Sequence, residues 1–182
     1  MKNDFTEDEW FLLSSTPAAV GALMSAAAPS GMLGTIKELS ASMKATVHGL
    51  QTHGDSDLVS SLLELSENWS DAKDKASDYS ERTRERFDKE NIKDAEKLEA
   101  LVLADCSAVA ALADERCSES DAAAYKDWCI TIAAKVAEAS KEGSVFGFGG
   151  TRISDEEKVL LSKIENALGV TSGKFLTLSG IS

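Results

Sequence analysis

The sequence predicts an all-α protein: a single bundle of about six to seven helices, four of them long, antiparallel and central, with short helices at both ends and no sheet. Three observations lead there. Only two prolines occur, Pro17 and Pro29, so residues 30–182 lack the strongest helix breaker. Aromatic residues make up 6% of the chain, and β-branched residues do not cluster at the two-residue period of a half-buried strand. Apolar residues instead recur at spacings of three and four, the signature of one helical face.

Taken in order, Thr6 and Glu9 form a capping-box pattern that starts a short helix from about Glu7 to Ser15. Thr16 then reads as the cap of a second helix with Pro17 at its first position, where a missing N–H is harmless. That helix runs to Ala28, and Pro29-Ser30-Gly31 stops it. A third helix is expected over about Met32 to Gln51, with Ile36, Leu39, Met43, Val47 and Leu50 on one stripe. The fourth carries Leu58, Leu62, Leu65, Trp69, Ala72, Ala76 and Tyr79 as a heptad seam. A fifth covers about Asp94 to Cys117, and a sixth about Asp121 to Lys141 with Tyr125, Trp128, Cys129, Ile132, Ala133 and Val136 on one face. Ser154 and Glu157 repeat the capping box and open a last helix, about Asp155 to Leu168, which Gly169 closes. Residues 1–169 thus form one domain, and 170–182 a tail without periodicity.

Composition bounds the function. The 182 residues carry a net charge of −12, which repels a phosphate backbone and an anionic membrane surface, so neither nucleic acid nor membrane is an expected partner. A cytoplasmic location is expected. No basic N-terminal segment precedes an apolar run, no stretch of about 18 apolar residues occurs, and three cysteines are too few for a disulfide framework.

No catalytic set emerges. The two histidines, His48 and His53, lie five apart, and neither stands in the Glu-x-x-His pattern of a di-metal bundle. Cys106, Cys117 and Cys129 have no Cys-x-x-Cys spacing and read as small core residues. Trp10, Trp69 and Trp128 read as core anchors. The loop 144–150 is rich in glycine and phenylalanine. It invites a phosphate-site reading, but Asp155, Glu156 and Glu157 already occupy the positive end of the following helix. No cofactor is expected, although the excess of carboxylates leaves a divalent cation open.

Two features stand out. Asp105 falls near the centre of the inner stripe formed by Leu98, Leu101, Val102, Val109 and Leu112. A carboxylate there must pair, hydrogen-bond, bind a metal or line a cleft. It is the one acid expected to bring charge inside. The other feature is the segment 71–97, where seventeen of 27 positions are charged with both signs mixed. It reads as a solvated helical hairpin turning near Asn91, or as a protruding arm that touches a partner through Tyr79, Arg82, Arg86 and Phe87.

The segment Gly149–Gly169 has Gly149 and Gly150, then Ile153, Ser154 and Glu157 at a helix start, and Leu168-Gly169 at its end. It resembles the loop-helix unit of the TerB-like proteins, a helical family linked to tellurite resistance. Residues 20–38 resemble a second copy. The resemblance implies an all-helical fold and a stress-related role; in that family an Asp beside the loop glycine is associated with divalent-cation binding. Gly149 and Ser30 occupy the matching places here, so that acidic ligand is missing from both. The expectation is therefore a non-enzymatic helical protein acting through association with a protein or with itself. The alternatives are an acidic divalent-cation binder and a small-ligand carrier or enzyme using Asp105.

Overall fold

The computed structural model describes residues 1–27, 52–63, 69–141 and 153–170, with 69–76 and 140–141 described as backbone only. The predicted third helix, His48, Pro29, the 144–150 loop and nearly all of the tail lie outside them. The fold is all-α, with no strand among the described residues. After a 3-10 turn at Lys2–Asp4 come α1 (Glu7–Ala27), α2 (Asp57–Leu62), α3 (Trp69–Lys89), α4 (Ala95–Arg116), α5 (Glu119–Lys141) and α6 (Asp155–Ala167).

Helices α1, α4, α5 and α6 pack each against the other three, and α2 lies on α5. Helix α5 is the centre. Its predicted face is buried, and so are Ala122, Ile130, Ala134 and Ala137 around it. Its charged residues Lys126, Asp127, Lys135 and Glu138 keep to the part of the helix that water reaches. Helix α4 contributes Val102, Cys106, Val109 and Ala113, α6 contributes Leu160, Leu161 and Ile164, and α1 contributes Leu13, Val20, Leu23 and Met24. By length and composition α1 could also cross a bilayer. Here these four side chains join the common core.

The two short N-terminal helices expected from Thr16-Pro17 are in fact one, running through Pro17. Thr16 is no cap: its hydroxyl donates to the Leu12 carbonyl at 2.7 Å. Proline removes the N–H that would bond the carbonyl of Leu13, normally a cost of about 3 kcal/mol in a helix interior. That carbonyl instead accepts the buried Tyr125 hydroxyl of α5 at 2.8 Å. A donor from another helix replaces the missing one, so the helix continues.

The seam predicted from Leu58 to Tyr79 is interrupted. Helix α2 ends at Leu62, with Leu63 at φ −91° and ψ 2° as its C-terminal cap, and α3 begins at Trp69. Leu58 and Val59 are buried, while the Trp69 side chain lies outside the described residues. Trp128 is buried and Trp10 partly so, the latter tilted on Phe5 with ring centres 5.9 Å apart.

Asp105 is not the only buried acid, contrary to expectation: Asp121, Glu157 and Glu165 are buried too. Two of them serve helix starts at buried ends. Glu157 accepts the Ser154 backbone N–H at 2.8 Å while its own N–H donates to Ser154 Oγ at 3.2 Å. Asp121 binds two starts at once. It accepts Ser118 Oγ, which caps its own helix, at 2.6 Å, and Ser56 Oγ, the cap of α2, at 2.7 Å. Burial opposes its charge. The hydrogen bonds from Ser118 and Ser56 and the backbone N–H groups of Leu58 and Asp57 outweigh that, holding the carboxyl below its ordinary range.

Candidate functional site

Asp94 accepts the Lys97 backbone N–H at 2.9 Å and starts α4, and Asn91 sits at φ 52° in the turn before it. Asparagine tolerates that left-handed conformation. Together they fold α3 back along the bundle, so 71–97 does contain a helical turn at Asn91. Once folded back, α3 directs Tyr79, Arg82, Thr83 and Arg86 inward, at the three-four spacing of one helical edge.

Each of the three large inward side chains has a partner. The Tyr79 ring lies 5.1 Å from that of Phe11 on α1. The Arg82 guanidinium covers the Phe11 ring at 4.3 Å and donates to Asp8 at 2.6 Å. Arg86 reaches α4 and holds both oxygens of Asp105, Nη1 to Oδ2 at 2.7 Å and Nη2 to Oδ1 at 2.5 Å. Asp105 is 5% exposed and Arg86 about a third exposed. This forked pair answers the demand of a carboxylate on an inner stripe. Its hydrogen bond to Asp105 raises the pKa of Arg86 against the opposing effect of burial, so the guanidinium stays charged.

Between α1 and α3 lies an open cleft of about 460 Å³. Phe11 and Leu12 contribute apolar surface, and Arg82, Arg86 and Lys89 line it beside the acids Asp8, Glu85 and Glu90. Phe87 points away from the core and is 36% exposed. The five residues singled out from sequence therefore divide. Asp105 and Arg86 form one pair, Tyr79 and Arg82 share Phe11, and Phe87 stands at the surface.

Asp8 and Phe11 went unnoticed in the sequence. Their signal was available: Asp8 and Phe11 lie three apart, on one face of the helix that Thr6 starts. Asp121 was missed as well, although Ser118-x-x-Asp121 is a helix-start pattern of the kind read at Thr6 and Ser154.

Little in this neighbourhood can perform chemistry. Both oxygens of Asp105 accept from Arg86, so the carboxylate is already engaged within the fold. Burial, helped by the charge of Asp105, pushes the Cys106 thiol up to about 12, and burial pushes Cys129 well above its ordinary value. Protonated thiols are poor nucleophiles. Cys117 is only half-buried, and its pKa is raised by burial and by Asp121 and Asp4. Among the described residues no three His, Cys, Asp or Glu side chains converge to hold a metal ion. No protein-family model, curated protein or solved structure matches the chain.

Proposed function

We propose that the protein acts by non-covalent association with a protein partner through α3 and the cleft beside it, and catalyses no reaction. One observation carries this reading. Helix α3 is fastened to the core by one edge, through Tyr79, Arg82 and Arg86, and leaves Phe87 and a row of charged residues at the surface. An apolar anchor rimmed by charge is the usual make-up of a docking patch. The protonated buried thiols and the occupied Asp105 favour binding over catalysis. A carrier built on Asp105 would have to displace Arg86 first.

The test compares the chain with the double variant Phe87→Ser, Lys89→Glu, both at exposed positions. Native extracts holding either form are run on size exclusion with light scattering. The expected result is a heavier complex for the wild type, lost in the variant at unchanged melting temperature. Equal masses for the two forms would overturn the reading.

A further inference from the structure

Of the three cations that line the cleft between α1 and α3, two are already engaged within the fold. Arg82 donates to Asp8, and Arg86 holds both oxygens of Asp105. The side chains of Glu85, Lys89 and Glu90 have no hydrogen-bonded partner among the described residues, and all three are exposed. Glu90 lies near enough to Arg86 for its charge to help keep the guanidinium protonated. What the cleft offers a visitor is therefore two carboxylates and one ammonium, beside the apolar surface of Phe11 and Leu12.

We propose that the cleft receives a lysine or arginine side chain from a basic segment of a partner protein, its cationic head meeting Glu85 and Glu90. The inference rests on the association reading above and states the chemistry of the partner. A long basic side chain has both parts the cleft calls for: a methylene stem to cover Phe11 and Leu12, and a charged head for the carboxylates. A partner carboxylate would face Glu85 and Glu90 as like charges and find both guanidinium groups occupied. An apolar side chain would cover Phe11 and Leu12 but strip water from the carboxylates without replacing it. The net charge of −12 also draws a cationic segment from a distance and repels an acidic one. Phe87, three residues before Glu90 and exposed, neighbours that carboxylate on the helix surface and gives an apolar residue beside the cation a place to pack. Aromatic anchors of this kind carry much of a binding energy, so loss of the Phe87 ring weakens the complex whatever the charge at residue 89.

Fluorescence anisotropy with the full chain tests the partner's charge, using a short labelled peptide of leucine, alanine and arginine and a twin with glutamate in place of arginine. The arginine peptide is expected to bind and its twin is not. Glu85→Lys, Glu90→Lys is expected to weaken binding about tenfold at an unchanged melting temperature. Asp55→Lys, Glu156→Lys makes the same change in net charge at two exposed positions, before α2 and on α6, that do not line the cleft. It is expected to weaken binding by no more than about twofold. Absence of binding, binding of the twin as well, or equal weakening by the two variants overturns the inference. If Phe87→Ser, Lys89→Glu abolishes the complex in extracts while Glu85→Lys, Glu90→Lys leaves it whole, the basic chemistry fails and the association reading stands. If neither of these double variants alters a complex, both fail.

Discussion

Helices α5 and α3 have nearly the same length, 23 and 21 residues, and are held in opposite ways. On α5 small and branched side chains (Ala122, Cys129, Ile132, Ala133, Val136) are buried on most sides. Its position is set by volume: close-packed interiors resist the loss of even one methylene. On α3 the inward residues are long and polar-tipped, and they reach α1 and α4 through guanidinium groups and one tyrosine ring. Its position is set by direction, since a forked Arg–carboxylate bond fixes orientation but removes little apolar surface from water. A helix fixed by volume keeps only a strip of its surface in water, here Ala123, Asp127 and Lys135, whereas one fixed by three side chains keeps an open face.

The difference can be broken from either side. Ile132→Ala, in the middle of α5, is expected to have the largest effect, about 3–4 kcal/mol of stability by denaturant melting. A loss below about 1 kcal/mol would mean the site collapses freely and volume does not fix α5.

Asp105→Ala comes next, at about 2 kcal/mol. Loss of a fully buried pair partner costs more, but Arg86 is about a third exposed and can rehydrate. The amides of α3 should then exchange with solvent faster than those of α5; equal exchange in the two helices would show that the ion pair does not hold α3.

Tyr125→Phe sharpens the α5 side. It leaves the Leu13 carbonyl buried without its donor, a cost of about 1–2 kcal/mol. In a Pro17→Ala background residue 17 regains its N–H, so the same substitution should cost distinctly less. Equal costs in the two backgrounds would separate the hydroxyl from the proline.

The smallest effect concerns acid. The carboxyl of Asp121 has a folded pKa below its unfolded value, so its stabilisation is present above the unfolded value of about 3.9 and is lost as pH falls through the folded one. Asp121→Asn should flatten the fall in melting temperature below about pH 4 relative to the wild type. Parallel acid limbs for the two proteins would assign that fall to other carboxylates.

Helix positions were most legible where local chemistry decides them. The boundaries expected for α4, α5 and α6 lie within one or two residues of those observed, because Asp94, Ser118 and Ser154 start helices by bonds to residues three further on. Burial of Asp105 was legible for a similar reason, being a matter of helical phase. Its partner was not. The charged segment holds several cations, and only the turn at Asn91 selects Arg86 among them. Pro17 misled because the local rule for proline is correct and a residue far along the chain overrides it. The break after Leu62 was hidden by leucines that continue the heptad pattern on both sides.

The bond from Tyr125 to Leu13 also orders events in time. Its ends are 112 residues apart, whereas Arg86 and Asp105 are separated by 19. A chain made from its N-terminus produces α1 before α5, with the Leu13 carbonyl lacking the donor that Pro17 cannot supply. The donor emerges only when α5 does, more than a hundred residues later. The hairpin of α3 and α4 closes a short loop at little entropic cost and need not wait. Helix α1 is thus among the last to find its complete set of hydrogen bonds, and it stays unfinished while all the chain from Leu13 to Tyr125 is made.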